Sequence, residues 1–323
     1  MRAWWIVWLA LALVPVPAAA AAPGVGVLLD PVPDAEPGVG ALSPMSLGMP
    51  NGPMPLVAHP MRLVVGPDGR QHAGGVSMAG VTPMPVHPPE DADPPDIPKA
   101  PHRGHVDLRD LLPPVRDQGA MGACVGFGFS ALVDFLAGGR RVTGSPLALW
   151  GEGRLREGTF PRNEGIYMTD GAAILNGLGG FPEAALRYPE GIQRRDPGFP
   201  LALRRMAAPG QYEAQGLRLK PVVVPLQAGD QIVPALDAGR PVVIAIFEPP
   251  QFDFPGPGGT VETAGPNVPT EDAHCLVVVG YDDPSRRLIV RNSWGPRWGD
   301  RGHCYMSYDY IDQGYIFQAF TLR

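Results

Sequence analysis

Residues 118–131 read QGAMGACVGFGFSA, and this stretch places a cysteine at the beginning of an apolar segment. Apolar residues recur at helical spacing after Cys124, and the pair Gly138-Gly139 is typical of a helix end. At the N-terminus of a helix, free backbone N–H groups and the helix dipole favour a thiolate over a thiol. The stretch therefore predicts a helix that begins near Cys124 and activates its sulfur as a nucleophile.

Two later segments carry an imidazole and a carboxamide. HCLVVVGYDD begins at His274 and RNSWGPRWGDRG begins at Arg291. The runs HCLVVVGY and RRLIVRNSW follow the pattern of buried strands, and DDPS between them is a turn signal. In the resulting hairpin His274 and Asn292 lie at the outer ends of adjacent strands. We expect His274 to pair with the Cys124 thiolate and then to protonate a leaving amine, while Asn292 accepts a hydrogen bond from the other ring nitrogen.

An oxyanion site is expected beside the nucleophile. The Cys124 backbone N–H is one donor, and the side-chain amide of Gln118, six residues upstream across a Gly-rich turn, is a second. Taken alone, Gln118 is as well explained as a turn residue and Cys124 as a small core residue. Cys275 and Cys304 are expected to be buried packing residues, and a disulfide between them stays open because the sequence does not give their geometry.

Together these segments resemble the papain-like cysteine peptidases, the C1 family, in a shorter bacterial form. The resemblance runs from about Val106, where VDLRDLLPPVRDQG is similar to the family's mature N-terminus, to the end of the chain. It implies an α+β, papain-like two-lobed fold with a helical left lobe, an antiparallel β-barrel-like right lobe and the active site in the cleft between them. It also implies that Gln118 is the oxyanion-hole glutamine, Cys124 the nucleophile, His274 the base and Asn292 the orienting residue.

The same resemblance gives roles to two further residues and shows two departures. Trp294 matches a tryptophan that shelters the His–Asn hydrogen bond, and Ala273 is expected to border a substrate subsite. Met121 stands where many relatives carry a cysteine, so their disulfide cannot form and packing alone is expected to hold the nucleophile loop. Val125 replaces a tryptophan without touching the chemistry.

The peptidase domain is expected over residues 105–323. Helix signals dominate from about 117 to 210, including one helix launched by Ser145-Pro146 and another, DGAAILNGLGG, capped by Asp170. From about 211 to 323 β signals dominate, in runs such as KPVVVPL, RPVVIAIF and HCYMSY. This order predicts that Cys124 lies on one wall of the cleft and that His274 and Asn292 lie on the other.

The N-terminal region is of a different kind. Residues 1–22 combine an early arginine, a short apolar stretch and small residues typical of a cleavage site, which predicts a signal peptide and a periplasmic or secreted protein. Residues 23–104 are rich in Pro and Gly and are expected to be a low-complexity linker or a pro-segment. Whether this segment blocks the cleft stays open. Its methionines and histidines also permit soft-metal binding, for instance of Cu(I), although a spacer or pro-segment explains them more simply.

The sequence thus predicts an exported cysteine endopeptidase that forms a thioester acyl-enzyme on Cys124, with His274 as general acid and base. Two alternatives stay open: a transpeptidase that uses the same residues, and a non-catalytic binding module on the same fold. The expected partner is a peptide or protein substrate; no cofactor, metal or stable membrane insertion is expected, and the protein is expected to be a monomer. A net charge of −6 without a basic stripe argues against nucleic acid as a partner.

Overall fold

A helix that carries Cys124 packs against a long, mostly antiparallel sheet that carries His274. The structure is a computed structural model, which describes residues 62–66, 69–78, 81–90, 96–139, 141, 144–204, 219–262 and 272–323. All of these lie in the compact unit Leu56–Arg323. The predicted signal peptide, residues 1–22, lies outside the described residues, as does 23–61 of the Pro/Gly-rich segment.

The secondary structure follows the predicted order of helices and then strands. The helices are α1 Cys124–Leu136, α2 Pro146–Arg156, α3 Met168–Leu178, α4 Phe199–Arg204, α5 Ile232–Asp237, α6 Pro250–Asp253 and α7 Asp309–Asp312, with 3-10 turns at Arg109–Leu111, Gly229–Gln231 and Pro257–Gly259. The strands are β1 Leu63–Val65, β2 Gln71–Ala73, β3 His105–Asp107, β4 Val223–Pro225, β5 Val242–Phe247, β6 Thr260–Val261, β7 Ala273–Asp282, β8 Arg287–Arg291, β9 His303–Ser307 and β10 Ile316–Leu322.

Two helix boundaries lie where local sequence signals predict them, and one does not. The hydroxyl of Ser145 accepts a hydrogen bond from the Ala148 N–H at 3.1 Å, so α2 begins where its capping residue predicts. After α1, Gly138 has a φ of 89°, a left-handed conformation that glycine adopts without strain. The cap expected at Asp170 is wrong: α3 begins at Met168, and Asp170 lies in its first turn.

The sheet holds eight strands in the order β4-β10-β5-β7-β8-β9-β6, with β3 paired to β7. Its pairs are antiparallel except for β6 with β9. Helix α1 approaches this sheet closely at Gly128, where a Cβ atom would lie 2.7 Å from the sulfur of Cys275 and 2.9 Å from a methyl of Val243. This close packing fixes the start of α1 against β7, and the predicted α+β two-lobed fold is confirmed.

Part of the Pro/Gly-rich segment packs on the domain. Strands β1 and β2 form an antiparallel hairpin with Leu63 opposite Ala73. Residues 72–77, which begin within β2 and run on beyond it, are here called the strap. The side chains of His72, Val76 and Ser77 in the strap are buried. Among the described residues, no helix combines the length and the hydrophobicity that a membrane span requires.

Candidate active site

Cys124 is the first residue of α1 and is fully buried. Its thiol donates a hydrogen bond to the backbone carbonyl of Gly75 in the strap, with 3.1 Å between Sγ and the oxygen. Burial raises the pKa of the Cys124 thiol to about 12, and the negative charge of Glu248 contributes to the rise. The helix start therefore holds a protonated, covered thiol in this state.

His274 and Asn292 form a pair on neighbouring strands. The Nε2 atom of His274 lies 2.8 Å from Oδ1 of Asn292, and the Ser293 N–H donates to the same oxygen at 2.7 Å. Because that oxygen acts as an acceptor, Nε2 carries the ring proton and donates. The other nitrogen, Nδ1, has no hydrogen-bond partner in the described part of the chain, so its lone pair is not engaged in a hydrogen bond. Burial lowers the pKa of His274 to about 4, against the effect of the Asn292 hydrogen bond, so the ring is neutral at pH 7.

The side chain of Gln118 lies at the same site, oriented by its neighbours. Its Nε2 donates to the carbonyl of Ala73 at 2.7 Å and to that of Met121 at 2.8 Å. Its Oε1 accepts from the hydroxyl of Ser293 at 2.5 Å, which turns the amide N–H groups toward the strap. Ser293, which links Gln118 to Asn292, was not predicted from the sequence, where its only signal is its place between Asn292 and Trp294.

An aromatic cluster packs on His274. The rings of Trp294 and His274 are 4.9 Å apart between centroids, and Phe252 contacts both of them, at 5.5 Å and 5.7 Å. Trp298 lies 5.0 Å from Phe252. Trp294 therefore packs on the His274 ring, and Phe252 and Trp298, which were not predicted from the sequence, extend the same aromatic cluster.

The nucleophile loop is held by more than packing. Met121 is fully buried, but Asn163 also brackets the loop: its Oδ1 accepts from the Gly122 N–H and its Nδ2 donates to the Ala120 carbonyl, both at 2.9 Å. The carboxylate of Asp117 accepts from the Gly119 N–H at 2.8 Å. The expectation of packing alone is therefore wrong, because two polar side chains fix the loop. All three cysteines, each within the described residues, are unpaired thiols.

The strap runs directly across these groups. Its Val76 N–H donates to the Ala273 carbonyl at 3.2 Å, so Ala273 contacts the strap through its backbone. Beyond it, the Ser77 N–H donates to the Ile166 carbonyl at 3.2 Å. At Gly165 the two backbones approach so closely that a Cβ would lie 2.1 Å from the Gly75 oxygen. The strap thus fills the space between Cys124 on one side and Ala273 on the other.

Alkylation of Cys124 should be slow in this closed chain and should accelerate only at high pH. A thiol with a pKa of about 12 holds, at pH 8, about a thousandfold less thiolate than one with the ordinary value of 9.0. We expect the rate of carbamidomethylation by iodoacetamide, followed by peptide mass spectrometry, to keep rising from pH 9 toward pH 12. A rate at pH 8 equal to that of a free cysteine would contradict this assignment.

Comparisons with known proteins agree with this geometry. A family model described as Peptidase_C39 like family matches residues 211–315, a range that contains His274 and Asn292. The chain is 26% identical over 204 residues to a thiol protease, aleurain-like, from Arabidopsis thaliana, covering 61% of this chain and 52% of that one. It is 30% identical over 230 residues to the cysteine endopeptidase Rep1 of Oryza sativa subsp. japonica, covering 66% and 54%. The chain therefore spans about half the length of the curated relatives that it matches.

Solved structures show the same architecture. Xylellain, a cysteine protease from Xylella fastidiosa, superposes with a TM-score of 0.56 at 24% identity and covers 75% of this chain and 97% of its own. The digestive procathepsin L 3 of Tenebrio molitor superposes with a TM-score of 0.52 at 20% identity and covers 77% and 75%. The resemblance inferred from the sequence is confirmed: this chain has the papain-like fold and is similar in sequence to papain-like cysteine proteases.

Proposed function

We propose that this chain is a cysteine endopeptidase whose cleft is closed by its own N-terminal segment. The observation that carries the proposal is the convergence at one cleft of a thiol at a helix start, a neutral imidazole with a free Nδ1 lone pair, and an amide donor. Ser293 links the amide to the imidazole, because its hydroxyl donates to Gln118 and its N–H donates to Asn292, the hydrogen-bond partner of His274. Sequence similarity to thiol proteases over about three fifths of the chain supports the same activity.

The chemistry follows from the positions of the atoms. With the strap displaced, Nδ1 of His274 takes the thiol proton of Cys124, and the thiolate attacks the substrate carbonyl carbon. The Gln118 amide and the Cys124 backbone N–H stabilise the resulting oxyanion. The imidazolium then gives its proton to the amide nitrogen as the C–N bond breaks, which leaves a thioester on Cys124 and releases an amine.

Deacylation uses the same groups, with water as the nucleophile and the Cys124 sulfur as the leaving group. His274 takes a proton from water, the hydroxide oxygen attacks the thioester carbonyl, and the C–S bond breaks as the imidazolium returns its proton to sulfur. Throughout the cycle Asn292 accepts from Nε2–H and keeps Nδ1 directed at the reacting atoms. The aromatic cover of Trp294 limits the access of water to that hydrogen bond.

The contacts of the strap support the pro-segment alternative for residues 23–104. The Ala73 carbonyl accepts a hydrogen bond from the Gln118 amide, and the Gly75 carbonyl accepts one from the Cys124 thiol. The Val76 N–H donates to the Ala273 carbonyl. A substrate needs all three groups, so the strap and a substrate exclude each other. Export by residues 1–22 remains part of the proposal on sequence grounds, and N-terminal sequencing of protein recovered outside the cell tests it.

An epoxide inhibitor of cysteine peptidases should label Cys124 alone in the folded, reduced chain, slowly while the strap is closed and faster once it is displaced, and the loss of peptide hydrolysis should parallel the labelling. Cys275 and Cys304 are equally buried thiols, so selective reaction requires activation by His274. Peptide mass spectrometry locates the label. His274→Ala is the control and should lower the labelling rate by about a hundredfold or more. Labelling that survives His274→Ala, or that falls equally on Cys275, would contradict the proposed function.

A further inference from the structure

Three carboxylates surround one guanidinium beside the candidate active site. The Arg62 side chain forms an ion pair with Asp253, lies 3.6 Å from Oε1 of Glu248 and lies 3.7 Å from Oδ2 of Asp272. Among the described residues, Arg62 is the one cation within 4 Å of these three groups. Glu248, Asp253 and Asp272, here called the acidic pocket, therefore carry more potential negative charge than their single partner neutralises.

Glu248 is the buried member of the acidic pocket. Its side chain has no exposed surface, no N–H group of the described residues donates to either carboxylate oxygen, and its hydrogen-bonding partner is the carboxyl group of Asp253. Burial raises the pKa of Glu248, the nearby Asp253 raises it further, and the charge of Arg62 opposes both effects. A cation in the pocket therefore favours the ionised form of this carboxylate, against burial and against Asp253.

The shape of the pocket indicates an organic cation. In the described part of the chain, no group of three His, Cys, Asp or Glu side chains is arranged to hold a metal ion. A planar guanidinium, by contrast, offers five N–H donors in a fixed fork, and Arg62 presents Nη1, Nη2 and Nε to different carboxylates.

The acidic pocket opens onto the cleft next to the nucleophile. A Cβ atom on Gly74 would lie 2.5 Å from Oε2 of Glu248, so the strap passes over this carboxylate at van der Waals distance. Gly74 lies between Ala73, which bonds Gln118, and Gly75, which bonds the Cys124 thiol. Arg62 itself is tied to this point, because the Gly74 N–H donates to its carbonyl at 3.0 Å.

We propose that the acidic pocket is a substrate site that selects an arginine side chain at one position flanking the scissile bond, and that Arg62 fills it in the closed chain. This inference rests on the proposed function. When the hairpin and strap leave, Glu248 loses Arg62 as its cation, and the basic side chain of a bound substrate that covers the pocket again restores the pairing. A neutral side chain leaves a buried carboxylate unpaired, so the pocket rejects it.

Chemical rescue tests the pocket without requiring catalysis. Arg62→Ala in the full chain should lower the thermal unfolding midpoint, and millimolar ethylguanidinium should restore at least half of the loss, whereas the neutral isostere ethylurea should not. Arg323→Ala, which breaks an exposed ion pair with Asp96, is the matched control and should show no rescue. Equal effects of ethylguanidinium on both variants, or no effect on Arg62→Ala, would overturn the proposal.

Peptide turnover then tests the role in specificity. In the Arg62→Ala chain, peptides that carry arginine at one position beside the cleaved bond should be hydrolysed about a hundredfold faster than matched citrulline peptides. Adding Glu248→Gln should bring this ratio close to one. A ratio near one before that change, or a preference that survives it, would sink the pocket assignment.

The two measurements separate this proposal from the proposed function. Rescue by ethylguanidinium in a chain whose Cys124 never reacts would refute the peptidase, and with it the substrate role of the pocket. Selective labelling of Cys124 together with equal turnover of arginine and citrulline peptides would refute the pocket alone.

Discussion

A chain that carries Gly74→Asp should hydrolyse peptides about a hundredfold faster than the unmodified chain. The new Cβ would lie 2.5 Å from Oε2 of Glu248, and the new carboxylate would face a buried carboxylate. Arg62 already serves three acidic groups and cannot neutralise a fourth. Clash and like-charge repulsion together cost about 3 kcal/mol, which converts to roughly a hundredfold rise in the population with the strap displaced.

This variant acts on the strap and leaves the catalytic groups in place. Gly74 belongs to the N-terminal segment, and its φ does not lie in the left-handed region, so aspartate itself fits the backbone there. The expected gain therefore comes from the space around the side chain. Initial rates on a quenched-fluorescent peptide measure it, and the rate of epoxide labelling at Cys124 should rise in parallel.

Gly69→Asp is the matched control. Gly69 belongs to the turn of the same hairpin and has a φ of 73°, but nothing lies within 4 Å of the position that a Cβ would take there. The same charge is thus added to the same N-terminal segment at a place with more backbone strain and no clash. If both substitutions raise activity equally, general loosening of the hairpin explains the gain and the specific contact of Gly74 with Glu248 does not.

The chemistry-bearing elements could be predicted because each carries a local signal. The helix at Cys124 shows its apolar period and its terminal glycines, and the hairpin that joins His274 to Asn292 shows two apolar runs around a turn. In both cases residues close in the sequence make the structure, so pattern and propensity are sufficient. That the helix and the hairpin meet at one site was inferred from chemistry, because a thiol, an imidazole and an amide together can act as nucleophile, base and orienting group.

The strap lacked any such signal. Strands β1 and β2 have three residues each, in a segment rich in proline and glycine, and their order comes from distant partners such as Gln118 and Ala273. The acidic pocket is equally non-local, since Arg62 meets Glu248 across more than half of the chain. Ser293 was visible in the sequence, but a serine has too many ordinary uses for its role to be inferred from type alone.

Cys124→Ala, placed in the Gly74→Asp chain, should abolish peptide hydrolysis, with a fall of about 10⁴-fold or more. Without the sulfur no thioester forms, and the oxyanion donors and His274 retain only a small residual effect on direct attack by water. The substitution is sterically mild and removes one hydrogen bond to the Gly75 carbonyl, so the unfolding midpoint should change little. Active-site titration with the epoxide inhibitor should fall to zero in the same variant.

Cys304→Ala in the same background separates loss of chemistry from loss of a buried thiol. Cys304 is as fully buried as Cys124 but lies on β9, opposite Val290 and away from Gln118 and His274. Its removal should cost a small amount of stability, about 1–2 kcal/mol, and should leave the turnover rate within about twofold. Because both variants delete one buried sulfur, packing effects are shared and only the nucleophile differs. Equal activity in the two variants would mean that Cys124 serves the core alone, and that the cleft binds peptides without cutting them.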